Sequence, residues 1–112
     1  MDRHDIEKSK AINIVEIIEY LPNSIVSKTI SKKLTGSISI SSLDSGEGIT
    51  EKISPFDIVI QIVDGSAEII IDGKANLLDT GQLIVLPANI SNIIKANERF
   101  KMIVTIIKSG YE

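Results

Sequence analysis

This sequence has almost none of the cysteine and histidine side chains that most often act as nucleophiles, as bases near neutral pH or as ligands of transition metals. The 112 residues contain no cysteine, which excludes a disulfide framework and a thiolate nucleophile. The single histidine, His4, lies in the charged start of the chain, MDRHDIEKSK, and we interpret it as a solvated tail residue rather than a catalytic base. The two tyrosines, Tyr20 and Tyr111, lie near the ends of the chain. Any chemistry would therefore depend on lysine, serine, amide and carboxylate groups.

The elements that must position these groups are short strands. Isoleucine is the dominant apolar residue, and β-branched side chains suit a pleated surface. Apolar runs recur at intervals of roughly eight to ten residues, with turn signals between them, which is typical of an all-β barrel or sandwich. Within this pattern, Asp64-Gly65 and Asp72-Gly73 predict tight hairpins. No βαβ unit, linker or second domain is indicated.

The two ends of the chain are interpreted separately. Residues 1–10 are predicted to form a flexible N-terminal tail, and residues 11–112 a single barrel domain. Within AINIVEIIEYL, the positions Ile14, Ile17, Ile18 and Leu21 have helix-like spacing and allow a short N-terminal helix, although AINIV also suits a strand. This alternative stays open on sequence alone.

Period-two alternation predicts which side chains share a face in three strands. In SIVSKTISKKL it separates Ile25, Ser27 and Thr29 from Val26, Lys28 and Ile30, and in SISISSL it separates isoleucines from serines. The last strand, RFKMIVTIIK, has two apolar faces: Met102, Val104 and Ile106 on one, and Ile103, Thr105 and Ile107 on the other. The sequence does not decide which of the two lines the barrel.

Two glycine-bounded stretches have a distinctive spacing. They are GEGITEKISPFDIVIQIVDG, from Gly46 to Gly65, and GQLIVLPANISNIIKA, from Gly81 to Ala96. Their spacing resembles the two motifs of the cupin superfamily, G-x5-H-x-H-x3-E-x6-G and G-x5-P-x-G-x2-H-x3-N. The segments SPFD, LPAN and RFKM are also similar to small single-domain cupins of the cupin 2 conserved-barrel type. The resemblance implies one cupin-type β-barrel, a jelly roll or double-stranded β-helix of the RmlC-like kind.

The resemblance also implies which positions would hold a metal. The family's His, His, Glu and His correspond here to Lys52, Ser54, Ile58 and Asn92. Lysine is a cation at neutral pH, isoleucine donates nothing, and serine and asparagine offer only neutral oxygen atoms, whereas divalent transition metals are bound by imidazole, thiolate and carboxylate. We therefore predict no metal and no cofactor.

If these positions point inward as the resemblance implies, Lys52, Ser54 and Asn92 form a small polar cluster among isoleucines. An apolar interior with a few converging polar groups is typical of a small-ligand pocket. The alternative is that isoleucines fill the interior and Lys52 extends to solvent. For Asp57 two positions are open: inward beside Lys52, or at the rim with its carboxylate bonded to backbone N–H groups.

These features favour a metal-free, non-catalytic cupin that binds a small ligand or has a structural role. We expect a homodimer, with the isoleucine-rich segment Ile12 to Ile30 as its apolar interface. One alternative is a metal-independent enzyme that acts on a small carbonyl compound or sugar. It would be either isomerase- or epimerase-like, or dependent on Lys52 with Asn92 as oxyanion donor. The other alternative is a metabolite sensor. A net charge of −3 argues against nucleic acid as a partner, and no apolar segment is long enough to span a membrane. We expect a cytoplasmic location.

Overall fold

Eight strands account for most of the described chain. The structure, a computed structural model, describes residues 6–108, apart from the side chains of residues 51 and 52. The strands are β1 (Ile25–Lys33), β2 (Gly36–Leu43), β3 (Gly48–Lys52), β4 (Ile58–Ile71), β5 (Lys74–Asp79), β6 (Leu83–Leu86), β7 (Asn92–Lys95) and β8 (Phe100–Ile107). The prediction of an all-β barrel is confirmed.

The strands form one antiparallel sheet that curls into two opposing layers. Its order is β1-β2-β8-β4-β7-β3, and β5 and β6 pair with β4 in addition. The first half of β4 pairs with β8 and β6 in one layer. Its second half pairs with β5 and β7 in the other layer. One strand therefore takes part in both layers and joins them.

The passage of β4 from one layer to the other occurs at a β-bulge. Its register with β8 shifts between Ile62 and Asp64, and the strand then continues through Gly65. The predicted hairpin at Asp64-Gly65 is therefore wrong. Gly65 has φ +81°, and a Cβ atom there would collide with the carbonyl oxygen of Arg99 and lie 3.0 Å from Cα of Phe100. The glycine is needed for a bend and a close approach of two strands, not for a chain reversal.

The second predicted hairpin is confirmed. Asp72 and Gly73 have φ values of 49° and 82°, and they join β4 to β5 with Ile71 opposite Lys74. Positive φ at both central residues is typical of a type I′ turn, whose twist matches that of the flanking strands.

Two apolar clusters lie on opposite sides of the sheet. The inner cluster lies between the layers and includes the fully buried Leu43, Ile60, Ile69 and Phe100. The outer cluster is formed by Ile18, Ile40 and Ile103, supported by Ile17, Val26, Ile30 and Val63. The alternation predicted for β1 and β2 is confirmed, because Ser27 pairs with Ser41 on one face while Lys28 pairs with Ile40 on the other.

The N-terminal segment crosses the outer face of the barrel. The predicted short helix is reduced to one 3-10 turn, Ile14–Glu16. The following Ile18 is 5% exposed and packs on Ile40 and Ile103. Polar contacts also fix the segment: the Ser42 hydroxyl donates to the carbonyl of Glu19 at 2.8 Å, and the Lys101 ammonium donates to the carbonyl of Val15.

Candidate ligand cavity

An open cavity of about 560 Å³ lies between the two layers. Its floor is aliphatic and comes from β4 and β8. The residues that form this floor are Ile58, Ile60, Met102, Val104 and Ile106. Met102, Val104 and Ile106 are therefore the face of the last strand that lines the barrel, and the buried Ile103 belongs to the outer cluster. A volume of this size falls within the range of small-molecule sites.

Ser54 reaches the cavity from the loop between β3 and β4. It precedes Pro55, which disfavours helical backbone at position 54 and keeps the loop extended. The Ser54 hydroxyl accepts a hydrogen bond from the backbone N–H of Phe56 at 3.0 Å. The backbone carbonyl of Ser54 accepts another hydrogen bond from the N–H of Asn89 at 2.7 Å. Both contacts hold the serine in place at the cavity wall.

Asn89 occupies the position of the glycine in the second motif. Its φ is +64°, in the left-handed region that asparagine tolerates better than other residues with a Cβ atom. The turn after Pro87 therefore keeps the shape that the glycine would give it. This explains how the spacing of the motif survives a substitution at one of its fixed points.

Asn92 lies at the start of β7 and is 5% exposed. It lines the cavity, and its Cα is in register with that of Lys52 on β3. The backbone of β3 thus brings position 52 next to position 92, as the resemblance implies. The side chains of Lys52 and Glu51 lie outside the described residues, and so do His4 and Tyr111.

Asp57 is separate from the cavity. It is exposed, and its Oδ1 atom accepts a hydrogen bond from the backbone N–H of Ala88 at 2.8 Å. Of the two positions left open by the sequence, this contact corresponds to the one at the rim. The carboxylate ties the loop before β4 to the turn after β6. Ser54, Ile58 and Asn92 line one cavity, and Asp57 is not among its lining residues.

The donors at the motif positions do not fit a divalent metal. Ile58 presents only methyl and methylene groups, and Ser54 and Asn92 present neutral oxygen or nitrogen atoms. In the described part of the chain, no three His, Cys, Asp or Glu side chains come together as a group that could hold a metal ion. No chemical step through a metal can be built from these residues.

The second wall of the cavity was not predicted from the sequence. Ser27 on β1 and Ser39 and Ser41 on β2 line it with hydroxyl groups. The Oγ atoms of Ser27 and Ser41 are 2.8 Å apart and share a hydrogen bond. The alternation in SISISSL was the available signal. The alternation shows that serines and isoleucines lie on opposite faces of the strand, but it does not show which face points inward. Isoleucines are the residues expected to face inward, whereas here Ile38 and Ile40 face outward.

Tyr20 organises charged groups on the outer face, away from the cavity. Its hydroxyl donates to Oδ2 of Asp64 at 2.7 Å. The Arg99 guanidinium carbon and the Lys101 ammonium lie 4.6 and 4.9 Å from the centre of its ring, within reach of a cation–π interaction. Burial, and then the neighbouring Asp64 carboxylate, raise the pKa of Tyr20 well above its ordinary value. This tyrosine stays neutral and has a structural role.

Three solved structures similar to this one come from bacteria. A conserved protein of unknown function from Streptococcus pyogenes is 32% identical, with 92% of this chain and 90% of that chain covered and a TM-score of 0.88. A cupin 2 conserved barrel domain protein from Leptotrichia buccalis is 34% identical, with 87% of this chain covered but only 47% of that longer chain, and a TM-score of 0.84. A cupin superfamily protein from Desulfitobacterium hafniense is 24% identical, with coverages of 91% and 94% and a TM-score of 0.86.

Comparison by sequence alone identifies less. No family model matches this chain, and no curated protein does. The preserved spacing of both motifs, the barrel and these structural relatives together define the class: this chain belongs to the cupin superfamily, among the small barrels of the cupin 2 type. The relatives with this fold include proteins of unknown function, so the family assigns no activity. Within residues 6–108, no helix is long and apolar enough to cross a membrane.

Proposed function

We propose that this chain is a metal-free, non-catalytic cupin of the cytoplasm that binds a small, largely apolar molecule inside its barrel. The observation that carries the proposal is the open cavity of about 560 Å³, in which an aliphatic floor meets the polar groups of Ser54 and Asn92. A barrel filled by its own isoleucines would leave no such space.

The chemistry of the lining supports binding without catalysis. Among the described lining residues, no histidine or carboxylate could activate the Ser54 hydroxyl as a nucleophile. The donors at the motif positions also lack the groups that hold catalytic metals in this fold. The predicted Lys52-dependent enzyme and the metabolite sensor stay predictions, since the first depends on a side chain that is not described and the second on a partner.

Fluorescence titration with the apolar anion anilinonaphthalene sulfonate tests whether the interior binds ligands. Val104 and Thr105 are neighbours on β8 whose side chains lie on opposite faces. We expect Val104→Phe, which narrows the cavity, to weaken saturable binding, and Thr105→Phe to leave it intact. Equal binding by both variants would place the dye outside the barrel and overturn the proposal. Stoichiometric transition metal in the purified protein would overturn its metal-free part.

We further propose that two copies pair through the outer face of the barrel. Ile38, Thr105, Val59 and Val85 lie opposite one another across four strands. Together with Leu83 and Ile107 they form an outer strip, whose members Leu83, Ile107 and Val85 are 58%, 55% and 47% exposed. An apolar sheet face can pack on an identical face related by a two-fold axis. The segment from Ile12 to Ile30, expected from sequence to supply this interface, has Ile17 and Ile18 packed on its own barrel.

Sedimentation equilibrium tests this pairing. The double variant Leu83→Lys/Val85→Lys should be monomeric at concentrations where the unmodified chain is dimeric. Leu77 on β5 is a matched control, because it is 77% exposed but lies in the other layer, so Leu77→Lys should remain dimeric. A monomeric unmodified chain would contradict the proposal.

A further inference from the structure

The two walls of the cavity differ in chemistry. The wall formed by β1 and β2 carries hydroxyl groups from Ser27, Ser39 and Ser41, whereas the floor formed by β4 and β8 is aliphatic. The cause is the period of two in SISISSL, which turns the serines inward and packs Ile40 under the N-terminal segment. A ligand that fits both walls must be apolar on one side and accept or donate hydrogen bonds on the other.

The serine wall can donate hydrogen bonds to a ligand. Each hydroxyl has one hydrogen to donate and two lone pairs to accept. Ser27 and Ser41 use one hydrogen between them, at an Oγ–Oγ distance of 2.8 Å, so the hydroxyl that accepts keeps its own hydrogen. Ser39 adds a third hydroxyl two positions along the same strand. Neutral donors of this kind suit an oxygen-rich end group.

The charge at the cavity selects among such end groups. Among the described lining residues, Lys108 is the only one with a charged side chain, and none of them has a carboxylate. The Lys108 backbone N–H donates to the carbonyl of Thr35 at 2.7 Å, which holds this lysine beside the start of β2. Strand alternation places Lys108 on the same face as Ile106 and Val104. A positive charge near hydroxyl donors favours an anionic end group and disfavours an amine.

We propose that the ligand is an amphipathic carboxylate, with a short aliphatic or monocyclic body. The body packs on Ile58, Ile60 and Val104, the carboxylate accepts a hydrogen bond from Ser39, and the positive charge of Lys108 at the same face attracts it at longer range. This inference rests on the proposed ligand-binding function and names the chemical class of the ligand.

Isothermal titration calorimetry with octanoate, octanol and octylamine tests the class, since the three share one chain and differ at the end group. Octanoate should bind tightest and octylamine weakest. Ser39→Ala should weaken octanoate binding by about tenfold, as expected for a hydrogen bond to a charged group. Lys108→Gln should weaken it by about two- to fivefold, since this lysine is exposed, and should leave octanol unchanged.

Two variants serve as matched controls. Ser66→Ala removes a serine hydroxyl that contacts Glu98 outside the cavity, and Lys95→Gln removes an exposed ammonium on β7. Neither should change the octanoate affinity, and circular dichroism should show the same fold for all four variants. Equal affinity for the three compounds, or no effect of Ser39→Ala and Lys108→Gln, overturns the carboxylate assignment while leaving ligand binding in place. Binding of none of the three overturns both.

Discussion

Tyr20 and Asp64 are joined by a 2.7 Å hydrogen bond across 44 residues of sequence. The contact connects the N-terminal segment to the bulge at which β4 leaves one layer of the barrel for the other. It is therefore the polar counterpart of the apolar contact between Ile18 and the outer face. Polar and apolar contacts together therefore fix the segment on the barrel.

Removing the Tyr20 hydroxyl should destabilise the barrel moderately. We expect Tyr20→Phe to lower the free energy of unfolding by about 1–2 kcal/mol, because the bond to the Asp64 carboxylate is lost while the ring stays beside Arg99 and Lys101. Urea denaturation measures the change. In the double variant Tyr20→Phe/Asp64→Asn, the loss should be smaller than the sum of the two single losses. Additive losses would contradict a direct interaction.

The bend at Gly65 should be sensitive to one added methyl group. Gly65→Ala introduces a Cβ atom against the backbone of Arg99 and Phe100, in addition to an unfavourable positive φ, so we expect a loss of at least about 2 kcal/mol. Gly73 provides the control: its φ is also positive, but a Cβ atom there would have no heavy atom within 4 Å. Gly73→Ala should cost only about 1 kcal/mol. Equal losses in thermal unfolding would rule out the close approach as the cause.

The barrel should lose stability in acid as the Asp44 carboxylate becomes protonated. The backbone N–H of Asn23 donates to Oδ2 of Asp44 at 2.7 Å, and this contact, followed by that of Ser45, lowers the pKa of the carboxyl from its ordinary value of 3.8. A group with a lowered folded-state pKa contributes its stability above the unfolded pKa and loses it as the pH falls through the folded pKa. The unmodified chain should therefore lose more stability below about pH 4 than Asp44→Asn, which cannot ionise. Parallel pH profiles in urea denaturation would exclude this role.

Metal ligands placed at the motif positions should create a metal-binding site. Ser54, Ile58 and Asn92 line one cavity, so Ser54→His/Ile58→Glu/Asn92→His would bring two imidazoles and a carboxylate together. We expect this triple variant to bind about one equivalent of zinc or nickel, and the single variant Ser54→His to bind none. Metal analysis after dialysis provides the measurement. A folded triple variant without metal would mean that the three positions do not converge.

The sequence predicted the fold because the turns depend on local chemistry. Asp72-Gly73 needs two positive φ angles, which few residue pairs adopt, and it forms the hairpin expected of it. Asp64-Gly65 has the same residue types but lies in a bulge, because the preceding and following segments each pair with different strands. The two residues alone do not determine which distant strands the flanking segments pair with.

The sequence predicted the residues of the site only at the positions that the two motifs define. That spacing led to Ser54, Ile58 and Asn92, which line the cavity. The serine wall was not predicted, because period two separates serines from isoleucines without indicating which group faces inward. The answer depends on Ile18, which covers Ile40 on the outer face and makes an apolar residue favourable there. A long-range contact of this kind leaves no local signal.

The pairing of β4 has a consequence for how the chain folds during synthesis. Every strand that pairs with β4 follows it in sequence, and β2 and β3 join the sheet only through β8 and β7. The emerging chain can therefore pair β1 with β2 early, but the layer that contains them is complete only once β8 has left the ribosome, and the other layer only once β7 has. Long-range pairing of this kind makes folding slow and leaves apolar strands exposed in the meantime. Lys32 and Lys33 at the end of the edge strand β1 then discourage pairing with other nascent chains.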